Sequence, residues 1–251
     1  MAMVDLRPED IIHKSYMNRL LIEIVDQPVL SQSLAFKGGS CAAMLGYLDR
    51  FSIDLDFDAL EGAHEITLRD NFLQAFHTLG FEVKAAFENI LFFQLKYPNE
   101  SGKRNTLKVS ASTERILTNQ YQAAFFHEID RVINCQTIET MFANKLVALM
   151  DRYARHQTIA GRDVYDIHHF FLRGFRYLPD VIHERTNLEM RDFFQQLIFF
   201  INKHVNQTII NEDLNSLLPN RQFQKIRNVL ISETLAFLER ELKKAKDNKF
   251  S

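Results

Sequence analysis

Leu34-Ala35-Phe36-Lys37-Gly38-Gly39-Ser40 is followed by a short segment ending at Leu48 and then by Asp49-Arg50-Phe51-Ser52-Ile53-Asp54-Leu55-Asp56-Phe57-Asp58. The stretch reads as a strand, a glycine turn, a helix and a second strand. Gly38 and Gly39 let the backbone turn sharply and bring its N–H groups close to a ligand, and Ser40 is placed to cap a helix beginning at Cys41. A helix N-terminus after such a turn favours anions such as phosphate. Gly-Gly-Ser is also an everyday turn, so its meaning depends on the second strand, Ile53 to Phe57.

Residues two apart on a strand point to the same side, so Asp54 and Asp56 share one face while Ile53, Leu55 and Phe57 face the core. Two ionised carboxylates about 5 Å apart repel by roughly 3 kcal/mol at an effective dielectric of about 20, and a divalent cation removes that cost. Oxygen-only ligands beside a phosphate-binding turn point to Mg²⁺ or Mn²⁺ rather than zinc. The competing reading is a solvated strand edge with its charges turned outward. The single short helix between Ser40 and Asp54 returns the aspartates to the glycine turn, and that combination favours a site.

Around this stretch lies an ordinary globular composition. The 251 residues, 46% hydrophobic and 25% charged with 8 Gly and 5 Pro, suffice for one large domain or two modest ones. A formal net charge of −2 argues against a protein that chiefly coats nucleic acid, although a local basic face is compatible with it. Cys41 and Cys135 have no partner at metal-ligand spacing and read as buried thiols. No leader and no membrane-length apolar run is evident, so the expectation is a cytoplasmic protein with no membrane partner.

Pro8 to Asp26 carries Ile11, Ile12, Tyr16, Leu20, Leu21 and Ile24 at helical spacing, with His13 and Lys14 expected to be solvated. Glu65 to Leu79 repeats the helical pattern. Phe81 to Phe87 and Ile90 to Tyr97 alternate as strands, expected as a hairpin turning at Glu88-Asn89, and Thr106 to Ala111 and Arg131 to Cys135 are further strands. A strong helix runs from Thr137 to Arg155, on which Lys145 and Arg152, seven residues apart, share one face. Both charges reach either into one cleft or simply to water along alkyl stems laid on the core. Asp163 and Asp166 neighbour one another near the start of the next helix, where carboxylates also suit the dipole. His168 and His169 point about 100° apart and are read as structural. From Leu188 the chain is helical and aromatic-rich, with Met190 to Val205 and Phe223 to Lys246 strongest, and the Lys243, Lys244, Lys246 and Lys249 tail is read as solvated.

Lys37-Gly38-Gly39-Ser40, a short helix and Arg50-Phe51-Ser52-Ile53-Asp54-Leu55-Asp56-Phe57, followed by Lys145 to Arg152 and Arg162-Asp163-Val164-Tyr165-Asp166, resemble the ordered motifs of the AbiEii/AbiGii-type nucleotidyltransferases. This branch of the DNA polymerase beta-like superfamily includes toxins of toxin–antitoxin and phage-defence systems. The resemblance implies an α/β (α+β) fold: a mixed sheet with helices over residues 1–136, including an N-terminal cover helix, and a helical C-terminal domain over 137–251, with NTP and metal bound in the cleft between them.

It implies that Gly38, Gly39 and Ser40 hold the NTP phosphates and that Asp54 and Asp56 bind the metal and serve catalysis. Lys145 is then a phosphate contact assisted by Arg152, and Asp163 a catalytic or base-like residue supported by Asp166, which fixes Arg152 or Arg162. Arg50 and Ser52 also match, Arg50 equally as a structural partner for an aspartate. Ser110 stands where polymerase beta-like enzymes commonly carry a third carboxylate. The expected function is Mg²⁺-dependent transfer of NMP from an NTP to a tRNA-like or protein hydroxyl, with a possible cognate antitoxin. The alternatives are an inactive protein on the same fold that binds NTP or antitoxin, and a kinase-type phosphotransferase.

Overall fold

The computed structural model describes residues 8–87, 90–100 and 102–247. They cluster into two compact units: one comprises the chain up to Arg115 together with Gln120–Thr137, the other Ile116–Asn119 and the chain from Ile138. The segment Ile116–Asn119, expected in the first domain, therefore groups with the second. The reason is local: the Leu117 and Thr118 N–H groups donate to the Glu184 carboxylate at 2.7 and 2.8 Å, and Asn119 accepts from Asn144 at 2.9 Å.

In the first unit, helix α1 (Pro8–Asp26) presents Met17, Leu20, Leu21 and Ile24 inward, the spacing of one helical face. Ile11 and Ile12, read as part of that face, are exposed instead. The helix packs on α2 (Pro28–Ser33), α4 (Glu65–Thr78) and β2 (Asp54–Ala59). The remaining elements are β1 (Leu34–Lys37), α3 (Gly38–Met44), β3 (Glu82–Ala86), β4 (Leu91–Lys96), β5 (Thr106–Ser112), β6 (Tyr121–Phe126) and β7 (Arg131–Gln136).

The strands form one mixed sheet in the order β3-β4-β5-β2-β1-β7-β6. β2 lies at its centre, antiparallel to β1 and parallel to β5. Alternation sorts its two faces. Leu55 and Phe57 of β2, Leu107 and Val109 of β5 and Phe93 and Leu95 of β4 are buried. Phe57 lies 5.3 Å from Phe36 and 6.3 Å from Phe72 between ring centroids, and Phe72 lies 5.6 Å from Phe93. Each such buried side chain contributes about 2–3 kcal/mol, so the apolar face holds β2 in register whatever its polar face carries. The β3–β4 hairpin forms as expected, while its Glu88-Asn89 turn lies outside the described residues.

The second unit contains α5 (Ile138–His156), α6 (Gly161–Leu172), α7 (Pro179–Thr186), α8 (Met190–His204), α9 (Gln207–Leu214), α10 (Asn220–Ile226) and α11 (Leu230–Asp247). α5 packs on α6 and α7, α6 also on α9 and α11, and α8 on α11. Phe142 anchors the first of these contacts, with its ring edge-on to Phe170, Phe171 and Tyr177. Gly161 lets α6 approach α9 closely, since a Cβ there would lie 2.8 Å from the Ile209 carbonyl oxygen. The single helix expected over Phe223 to Lys246 is two, α10 and α11, separated by a turn at Arg227–Val229. Lys249 lies outside the described residues, none of whose helices is long and apolar enough to cross a membrane.

Candidate functional site

Helix α3 begins at Gly38 with Lys37 as its N-cap, three residues before the expected start, and Ser40 makes no cap. The Ser40 side chain is buried instead. Its hydroxyl donates to the Asp54 carbonyl and is hydrogen-bonded with the Ser52 hydroxyl at 3.0 Å, which ties α3 to the first residue of β2.

Both glycines sit at a close approach, and Gly38 is also called for by its backbone conformation. Gly38 has φ +78°, a conformation L side chains avoid, and a Cβ on it would sit 3.0 Å from Asp56 Oδ2. A Cβ on Gly39 would sit 2.7 Å from Arg50 Nη2 and 3.0 Å from Ser52 Oγ. Arg50 is itself buried and donates to the Phe51 carbonyl at 3.0 Å. The turn, Arg50, Ser52 and β2 therefore form one packed assembly.

On the polar face of β2 the structure brings Asp54 and Asp56 together as expected, and Asp58 continues the row, since successive same-face residues are two apart. Ser110 lies opposite Asp56 on β5 and donates to Asp56 Oδ1 at 2.7 Å. Asp58 is the residue that the sequence reading misses. It is 5% exposed, with Lys37 Nζ 2.5 Å from Oδ1, and with Gln136 Nε2 and Tyr121 Oη donating to Oδ2 at 2.7 and 3.1 Å. The same two-residue spacing that marks Asp54 and Asp56 points to it.

Among the described residues there is no group of three or more His, Cys, Asp and Glu side chains placed to hold a metal ion. The donor set here is two carboxylates and a hydroxyl, and the missing Cβ of Gly38 leaves room beside Asp56 Oδ2. That set fits a hard divalent cation such as Mg²⁺, which takes one or two carboxylates and completes its shell with water and substrate phosphates.

The second unit collects the other expected residues. Lys145 of α5 lies 2.9 Å from Asp163 Oδ1 and 3.0 Å from Asp166 Oδ2 of α6, and Arg152 Nε lies 3.3 Å from Asp163 Oδ2. Asp163 and Asp166 are fully buried. Burial alone would raise the Asp163 carboxyl, but Lys145 and Arg152 outweigh it and hold the group below the usual carboxylate range. Such a carboxylate suits the orientation of Lys145. Arg152, one of the two arginines expected on Asp166, meets Asp163. His168 is buried with Nε2 2.7 Å from Glu233 and reads as structural, as expected.

His13 is a correction. Expected in solvent, it is fully buried, with Nδ1 2.7 Å from Tyr97 Oη and Nε2 2.9 Å from the Ile53 carbonyl, one residue before Asp54. Burial lowers its pKa to about 4, against the opposing hydrogen bond to Ile53.

A mixed sheet bearing a glycine turn and paired aspartates on its central strands, followed by a helical region, is the arrangement of a nucleotidyltransferase. Residues 19–248 match the family described as nucleotidyl transferase AbiEii toxin, type IV TA system, and the chain belongs to that family. Family membership implies an NTP substrate and an antitoxin partner. Among solved structures, JHP933 from Helicobacter pylori is similar at 19% identity and a TM-score of 0.58, covering 98% of this chain and 97% of that one. A second H. pylori protein, described as a candidate nucleotidyltransferase, is similar at 20% identity and a TM-score of 0.59, covering 96% and 98%. At these identities the likeness is one of fold. No curated protein matches the chain.

Proposed function

We propose that the chain transfers a nucleoside monophosphate from an NTP to the hydroxyl of a tRNA-like nucleic acid or a protein, releasing pyrophosphate, as the toxin of a toxin–antitoxin pair acting in the cytoplasm. The observation that carries this reading is the packing of Gly38 against Asp56, which joins the phosphate turn and the carboxylate row in one place.

Asp54 and Asp56 are the residues that would hold Mg²⁺ or Mn²⁺. Such an ion, when bound, supplies positive charge to the phosphate oxygens as they gain charge. Ser110 holds the Asp56 carboxylate in one orientation, leaving Oδ2 on the side of the glycine turn. The Gly38 and Gly39 backbone receives the phosphates, and Ser40 keeps that turn fixed on β2 through the Asp54 carbonyl. Lys145 is the further phosphate contact that the family motif implies. Asp163 and Asp166 orient its ammonium, and Arg152 completes their charge balance. Preorganised charge of this kind costs no rearrangement when the reaction occurs.

Incubation with each α-labelled NTP, Mg²⁺ and separate pools of total RNA and total protein tests the reading. Label in one pool identifies the acceptor. Label transferred only from γ-labelled NTP would replace nucleotidyl transfer with kinase chemistry, and NTP binding without any transfer would leave a binding protein.

A further inference from the structure

Lys37, which heads the glycine-turn motif, and Asp58 form a pair to which the proposed chemistry assigns no role. Lys37 stands opposite Asp56 in the antiparallel β1–β2 register, so the two side chains rise from the same sheet face on adjacent strands. It also immediately precedes Gly38. Its ammonium reaches diagonally to Asp58, whose other oxygen is fixed by Gln136 of β7 and Tyr121 of β6. Four strands therefore determine where this one charge sits. The Lys37 side chain is 25% exposed, and an ammonium has three N–H donors, of which Asp58 Oδ1 takes one.

Simple neutralisation of a buried aspartate is the competing account. It explains the pair but not its place: the same-face row of Asp54, Asp56 and Asp58 gathers negative charge where an anionic triphosphate must approach, and Lys37 holds a cation there within reach of water. We propose that Lys37 contacts the terminal phosphates of the NTP, with Asp58, Gln136 and Tyr121 as the residues that position it. The inference deepens the nucleotidyl-transfer reading and rests on it.

The test measures affinities of the full chain, with Mg²⁺, for ATP, GTP, CTP and UTP and for the four corresponding monophosphates. A structural role for Lys37 would move both ligand types together. Lys37→Met is expected to weaken the bound NTP by about tenfold, raising its KM more than it lowers kcat, while the affinity for the monophosphate changes by less than about twofold. Lys37→Arg recovers most of the loss, and Asp58→Asn shows the same selective weakening to a smaller degree.

Equal effects on NTP and monophosphate, or none, in a folded Lys37→Met protein would overturn the proposal. Should Lys37→Met or Asp58→Asn fail to fold, Tyr121→Phe decides: it leaves the ion pair in place, and selective loss of NTP affinity supports positioning while an unchanged NTP-to-monophosphate ratio refutes it. If wild type transfers nucleotide and Asp54→Ala does not, yet Lys37→Met acts on both ligands alike, this inference fails and the functional reading stands. If wild type binds no NTP, both fail.

Discussion

Ser110 Oγ donates a 2.7 Å hydrogen bond to Asp56 Oδ1 across the parallel β2–β5 pair. A neutral donor therefore stands beside the carboxylate row, at the strand position where the sequence reading expects a third acid. Ser110→Asp should add repulsion of roughly 3 kcal/mol in metal-free protein, lowering Tm by about 5–10 °C. Mg²⁺ should recover more Tm in the variant than in wild type. Differential scanning calorimetry with and without Mg²⁺ measures this, and an unchanged metal-free Tm would show that the two side chains do not face each other.

Gly38→Ala introduces a Cβ at φ +78° and 3.0 Å from Asp56 Oδ2. The backbone strain should cost about 1–2 kcal/mol of stability. Because the added methyl displaces Asp56, transfer activity should fall by far more than the melt predicts. Activity that tracks stability alone would detach the turn from the site.

His13 gives a pH signature with a definite sign. Its folded pKa is lowered from 6.5 to about 4, so below pH 6.5 the unfolded chain binds a proton that the folded chain refuses. Stability is full above pH 6.5 and declines down to about pH 4, by roughly 3 kcal/mol in total from this residue. Urea melts across that range should show the slope, reduced in His13→Gln.

Lys145 bridges Asp163 and Asp166, both buried. Lys145→Met should destabilise by about 3–5 kcal/mol because it removes the ammonium that two buried carboxylates share, whereas adding Asp166→Asn should recover part of that loss. The Asp163 contribution has the opposite origin from that of His13 but the same direction in pH. Held below the usual carboxylate range, it is present above ordinary carboxylate pKa values and is lost as pH falls through the folded value. A urea-melt double-mutant cycle measures the coupling, and additive losses would contradict it.

Much of the fold is written in local periodicity. The α1 span, the β3–β4 pairing and β5 follow from spacing alone, because apolar residues recur every three to four or every two positions. β6 is not legible: Tyr121-Gln122-Ala123-Ala124-Phe125-Phe126 is a sheet edge with no alternation to read. His13 misleads for a related reason, since a histidine on a helix reads as solvated until Tyr97 and Ile53, distant in sequence, close over it. Ser40 reads as a cap because its bond to the Asp54 carbonyl is tertiary and leaves no local signal. Asp58 carries the same spacing signal as its neighbours, but its partners come from β1, β6 and β7.

The most direct measurement compares wild type with Asp54→Asn and Asp56→Asn, using α-labelled NTP, Mg²⁺ and total cellular RNA and protein as acceptors. The account predicts label on an acceptor with wild type, dependent on Mg²⁺, and loss by about a hundredfold or more in either folded variant. Equal labelling by wild type and both variants would contradict it.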